Sequence, residues 1–148
     1  MPYTNILVAV DTTDEADEVL VAARNVANDV GSALSIICVM KPITEFYVNL
    51  FAMLEDSGED ALQAQAEAKV KDWLAELAVR NKVDPTNIYV VAGVPAREIH
   101  RQAEAMTADL IVVGTHGKHG MQLMLGSTAN AVLHDAPCDV LAARIHSE

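Results

Sequence analysis

The sequence predicts one α/β domain built on a parallel β-sheet. Residues 6–10, 33–40 and 110–113 are short apolar runs rich in Val and Ile, as expected for strands that are buried on both faces. Between them lie stretches whose apolar residues recur at helical spacing. This alternation predicts right-handed βαβ units, and so one sheet of five parallel strands with helices on both faces.

The first strand, residues 6–10, ends at Asp11, and a helix is expected directly after it. Thr12 stands three residues before Glu15, which is the spacing of a capping box, and apolar residues then recur at helical intervals up to Gly31. Asp11 has two possible roles at this turn. It can cap the helix, or it can face a ligand beyond the end of the strand.

The middle of the chain continues the alternation. Lys41-Pro42 ends the second strand, and residues 60–81 carry an apolar helical face. A third strand is expected at residues 88–92, and Gly93-Val94-Pro95 places a proline at the start of the next helix. A fifth strand is expected at residues 139–143. Residues 45–60 have no clear period, so a short helix, a lid and a mobile crossover all remain open.

Composition limits the class of protein. The 148 residues suffice for one full core but not for two ordinary domains, so residues 1–148 are interpreted as one domain. The net charge of −11 argues against a nucleic-acid partner. No apolar run could span a membrane and no export signal is evident, so a cytoplasmic protein is expected, with Cys38 and Cys138 as reduced thiols.

A glycine-rich segment follows the fourth strand. Gly114-Thr115-His116-Gly117-Lys118-His119-Gly120 comes after residues 110–113, and Gly126-Ser127-Thr128 then opens a helix expected to run to His134, with Ser127 as its N-cap. Glycines let the backbone approach a ligand closely, and free N–H groups favour an anion. The segment therefore predicts a phosphate site, which faces Asp11 if the first and fourth strands are neighbours.

Two nucleotide-binding classes are disfavoured by missing motifs. The phosphate-loop string of Gly, four residues and Gly-Lys-Ser/Thr is absent. The dinucleotide fingerprint is also absent, since the turn after the first strand contains no glycine. A zinc site at His116 and His119 is also disfavoured, because no cysteine or acid lies nearby in sequence to complete the ligand set.

The sequence resembles the universal stress protein family, in its adenine-nucleotide-binding branch. The resemblance covers nearly the whole chain and rests on Ile6 to Asp11, Val39, Gly93-x-Pro95, Asp109 to Gly114 and Gly126-Ser127. It implies a Rossmann-like fold of the adenine nucleotide alpha hydrolase type that binds AMP or ATP. The residues expected at the nucleotide are Ala9, Val10, Asp11, Thr12, Val39, Gly114, Thr115, His116, Gly117, Lys118, Gly126, Ser127 and Thr128.

Within that set, the resemblance places Asp11 near the ribose and the backbone at Val39 near the adenine. The family pattern has nine residues between its second and third glycines, whereas residues 118–125 between Gly117 and Gly126 number eight. One missing residue shifts a loop by up to about 3.5 Å, enough to disturb an outer phosphate but not the α-phosphate. AMP is therefore favoured, and ATP, with or without Mg²⁺, stays open.

Three functions are compatible with these sequence features. The first is a stress-response sensor or regulator that binds an adenine nucleotide. The second is a dimeric interaction module of the same fold that has lost the nucleotide, and the third is a slow ATPase. The family also implies a homodimer, with the C-terminal strand, residues 139–145, pairing along its exposed edge with a second copy.

Overall fold

Five parallel strands form the sheet, in the order β3-β2-β1-β4-β5. The structure, a computed structural model, describes residues 3–13, 15–27, 33–40, 59–115 and 127–145. The strands are β1 (Asn5–Ala9), β2 (Ala33–Met40), β3 (Ile88–Ala92), β4 (Leu110–Gly114) and β5 (Asp139–Ala143). All five strands lie within one residue of the predicted bounds, because a strand that is buried on both faces forms a continuous apolar run.

Four helices are present among the described residues: α1 (Ala16–Val26), α2 (Glu59–Arg80), α3 (Pro95–Ala105) and α4 (Ser127–Leu133). The proline at position 95 begins α3 as predicted, since its fixed φ suits the first turn of a helix. The segment without a clear period lies mostly outside the described residues, apart from its last two residues, which belong to α2.

The predicted limits of α1 are wrong at both ends. The N-cap is Glu15, whose side chain makes no capping hydrogen bond, so the capping box from Thr12 does not form. Asp11 does not occupy the N-cap position either, because Glu15 does. The helix ends at Val26, because Ala27 adopts an extended conformation and forms a bridge with Tyr3, whereas the apolar pattern predicts helix up to Gly31.

The sheet separates two apolar cores. Along β1, Ile6 and Val8 point into one core with α1 and α2, and Leu7 points into the other with α3 and α4. These three side chains have no exposed surface. Helices therefore cover both faces, as predicted. Cys38 is buried, Cys138 is partly exposed, and both are free thiols.

β1 and β4 lie side by side in the centre of the sheet, with Leu7 paired to Ile111. From β1 the chain continues through α1 towards β2, and from β4 it continues through α4 towards β5 on the other side. The strand order thus reverses between β1 and β4, where a crevice opens at the carboxyl ends of the strands. No helix among the described residues is long and apolar enough to span a membrane.

Candidate functional site

A cavity of about 200 Å³ lies at the carboxyl ends of β1 and β4, where the strand order reverses. Six of the residues predicted from the sequence line it, namely Ala9, Val10, Asp11, Val39, Gly114 and Thr128. They come from four separate parts of the chain: the end of β1, the end of β2, the end of β4 and the first turn of α4. The structure therefore brings the Asp11 turn and the start of the glycine segment to one crevice.

The other predicted residues divide into two groups. Thr12 and Thr115 are described but do not line the cavity. Thr115 instead contacts the β5 side of the sheet, since its N–H donates to Ala143 O at 2.9 Å and its Oγ1 accepts from Ile145 N at 3.4 Å. Ser127 is the first residue of α4. His116, Gly117, Lys118 and Gly126 lie outside the described residues.

Several residues in the cavity wall were not predicted from the sequence. They are mostly apolar and come from α1 and its N-cap, β2, α3, β4, α4 and the segment after β5: Glu15, Val19, Ile37, Pro95, Ile99, Val113, Ala129 and Ile145. The Gly-x-Pro motif was a signal for Pro95. Nothing local marks Ile145 or Ile99 as site residues, because they reach the cavity only through tertiary packing.

Gly114 is at this position because of limited space and not because of an unusual backbone conformation. Its φ does not lie in the left-handed region, unlike that of Gly93. A Cβ atom at Gly114 would lie 3.2 Å from Ile145 Cδ1 and 3.3 Å from Val19 Cγ2, closer than most such contacts in proteins. The absence of a side chain therefore keeps the end of β4 open to the cavity.

Asp11 is exposed and lies two residues after the end of β1. Its Oδ1 accepts a hydrogen bond of 2.6 Å from Thr13 Oγ1, which holds the carboxylate in the turn before α1. Burial of Cys38, followed by the negative charge of Asp11, raises the pKa of that thiol to about 11. The negative charge of Asp11 therefore acts on Cys38, near the end of β2.

The charges in the cavity wall are acidic. Asp11 and Glu15 line it, and no Lys, Arg or His of the described residues does. Arg97, on α3, is exposed and lies elsewhere. Among the described residues, hydroxyls such as that of Thr128 and backbone N–H groups are therefore the donors that an anion could use here. No group of three or more His, Cys, Asp or Glu among the described residues is placed to hold a metal ion.

The sequence profile described as "Universal stress protein family" matches residues 2–144. The chain belongs to the universal stress protein family. Among curated members, it is 36% identical over 142 residues to universal stress protein A homolog 1 of Coxiella burnetii, with 96% of each chain covered. Membership of the family, expected from the sequence motifs, is thus confirmed.

Solved structures of this family have the same fold. The universal stress protein UspA from Lactobacillus plantarum superimposes with a TM-score of 0.66 at 27% identity, with 99% of each chain covered. A universal stress protein described in complex with cAMP gives a TM-score of 0.67 at 21% identity, with full coverage of both chains. At that identity, the second similarity establishes the fold alone.

Proposed function

We propose that this universal stress protein binds an adenine nucleotide, AMP or ATP, in the cavity between Asp11 and Thr128 and acts as a stress-response sensor or regulator. The observation that supports the proposal most is the convergence of Asp11, Val39, Gly114 and Thr128 on one cavity. Each was expected at a nucleotide from the sequence, and they are far apart in the chain. A fold-level relative in complex with cAMP supports the view that this fold accommodates an adenine nucleotide.

The cavity suits the parts of a nucleotide differently. Ile37, Val39 and Ile99 offer an apolar wall for the flat base, and the hydroxyl of Thr128 offers a donor for phosphate. The volume of about 200 Å³ is below the range of roughly 300–1,000 Å³ that is usual for whole small-molecule sites. We therefore expect the base and ribose to be enclosed and the phosphate to lie at the mouth, next to the chain from Gly114 to Thr128.

Isothermal titration of the purified chain with AMP and with ATP tests the proposal. We expect saturable binding of both, with AMP bound more tightly, because the segment between Gly117 and Gly126 is one residue shorter than the family pattern. Gly117→Val should abolish binding, since a side chain blocks close approach of the backbone to phosphate. Gly120→Val is the matched control, as it changes a glycine of the same segment that lies outside the pattern.

The competing function is a dimeric interaction module that holds no nucleotide. The small cavity volume favours it, and so does β5, which lies at an edge of the sheet where a second copy could pair with it. If neither AMP nor ATP produces heat or raises the melting temperature at millimolar concentration, the nucleotide proposal is wrong and this alternative is favoured. Light scattering on the same sample measures the dimer separately.

A further inference from the structure

Glu15 has a buried carboxyl oxygen without a partner in the wall of the cavity. The residue is only 5% exposed, and its Oε1 accepts no hydrogen bond although almost every buried polar atom in folded proteins has one. Among the described residues, it is the one buried side-chain oxygen or nitrogen in this condition. Burying an acid in this way is unfavourable, so the position requires an explanation.

The fold itself does not explain this acid. Glu15 occupies the N-cap position of α1, yet its side chain makes no capping hydrogen bond. The ion pairs formed among the described residues, Asp17 with Arg80 and Glu98 with Arg101, do not involve it. Because Glu15 lines the cavity, the missing partner is best sought in a molecule that occupies the cavity and offers a hydrogen-bond donor.

The order of the strands indicates which part of a nucleotide would face Glu15. This step rests on the proposed function, which puts the base against Val39 at the end of β2 and the phosphate near Gly114 at the end of β4. β1 lies between β2 and β4, so the ribose that joins base to phosphate must lie over the end of β1. Asp11 and Glu15 are the acids that follow β1 and line the cavity.

The chemistry of the ribose fits these two acids. A ribose offers two hydroxyl donors, at its 2′ and 3′ positions, and the wall offers two carboxylates as acceptors. We propose that Glu15 is a second ribose-binding residue, whose Oε1 accepts a hydrogen bond from one of these hydroxyls while Asp11 accepts from the other. The site then selects nucleotides with a free 2′,3′-diol and disfavours those that carry phosphate at either position, because like charges repel.

Titration of matched ligands into the wild type and Glu15→Met tests this role. The ligands are AMP, 2′-deoxy-AMP and 3′-deoxy-AMP. The wild type should bind AMP roughly 10- to 100-fold more tightly than at least one deoxy analogue, since a hydrogen bond to a charged group has that effect. Glu15→Met should bind AMP more weakly by a similar factor and should lose this discrimination.

The melting temperature of the ligand-free protein distinguishes a ribose-binding role of Glu15 from a structural one. Methionine has a similar length and no polar group to bury, so ligand-free Glu15→Met should melt at the same temperature as the wild type or roughly 2–4 °C higher. Glu104→Gln, which removes an exposed acid on α3, should change neither melting temperature nor affinity. If Glu15→Met does not fold, Glu15→Gln keeps the shape of the side chain and should show a smaller loss of discrimination.

The outcomes separate this inference from the function on which it rests. If the wild type binds AMP, and Glu15→Met discriminates against the deoxy analogues as strongly as the wild type does, the ribose role of Glu15 is wrong. The proposed nucleotide site is then unaffected. A lower melting temperature with equal weakening for all three ligands would assign Glu15 to the structure instead. If the wild type binds none of the three, the proposed function fails and this inference fails with it.

Discussion

The two ends of the same central strands are built differently. At the amino ends, polar groups are paired across the sheet. Asp109, before β4, accepts hydrogen bonds from the N–H groups of Thr4 and Asn5 at 2.9 and 3.0 Å and from Thr4 Oγ1 at 3.1 Å. Tyr3 Oη donates to Asp139 Oδ2 at 2.8 Å. These bonds connect the starts of β1, β4 and β5.

At the carboxyl ends, polar groups instead face a cavity. Asp11 is exposed and held only by Thr13 among the described residues, and Glu15 is buried with an oxygen that has no partner. Gly114 keeps the wall open where a side chain would crowd Val19 and Ile145. Polar groups at the amino ends thus stabilise the fold, whereas those at the carboxyl ends remain available for a ligand.

Substitution of Asp109 should have the largest effect and should act on stability alone. Asp109→Ala leaves the N–H groups of Thr4 and Asn5 without their charged acceptor, so we expect the free energy of unfolding to fall by about 1–2 kcal/mol. Urea unfolding followed by circular dichroism measures this change, and titration should give an unchanged affinity for AMP.

Asp84→Ala is the matched control for Asp109→Ala. Among the described residues, the side chain of Asp84 accepts only from Thr86, two residues away, so its loss affects a local turn and should destabilise less. An equal loss of stability in the two variants, or a weaker affinity for AMP in Asp109→Ala, would contradict the comparison. It would mean that the amino ends of the strands do not serve stability alone.

Substitution of Asp11 should have the opposite pattern. Asp11→Ala removes a charged acceptor from the cavity wall, and we expect the affinity for AMP to fall about tenfold while the unfolding curve stays the same. Asp135→Asn is the control, because it removes one negative charge before β5 and asparagine tolerates the φ of 58° found there. Weaker binding in both variants would point to net charge rather than to a contact of Asp11.

Lowering the pH should weaken the stabilisation that Asp109 provides at the amino ends of the strands. We expect this effect to be smaller than those of Asp109→Ala and Asp11→Ala. Burial of Asp109 raises its pKa, but the hydrogen bonds from Thr4 and Asn5 outweigh burial, so its pKa lies below the ordinary value. The carboxylate therefore stabilises the fold above the ordinary pKa of about 4, and this contribution is lost as the pH falls through the lowered value.

Urea unfolding of the wild type and Asp109→Asn at pH 7 and pH 3 measures this effect. The two proteins should differ more at pH 7 than at pH 3, because the carboxylate of Asp109 stabilises the fold less once the pH is below its ordinary pKa of about 4, whereas the variant has no charge to lose. A difference that is the same at both pH values would mean that the charge of Asp109 does not contribute. Other acids with lowered pKa values, such as Asp17, are present in both proteins and cancel.

Much of the fold could be predicted from local patterns. The runs at 33–40, 88–92 and 139–143 were predicted with the bounds found, because burial on both faces requires continuous apolar residues. The start of α1 was predicted wrongly, since the spacing of Thr12 and Glu15 indicates a capping box, yet Glu15 is buried in the cavity wall. Tertiary burial outweighed a local preference at this position.

By itself, the sequence determined the class of fold, because each strand follows from a run of neighbouring apolar residues. Motifs that resemble the family indicated the family and led to the choice of Asp11, Val39 and Gly114, which all line the cavity. Only the tertiary structure decided that β1 and β4 are neighbours, that Ile99 and Ile145 line the cavity and that a buried acid faces it. The physical reason is that a cavity forms between elements far apart in the chain, so its walls are specified by packing and not by local sequence.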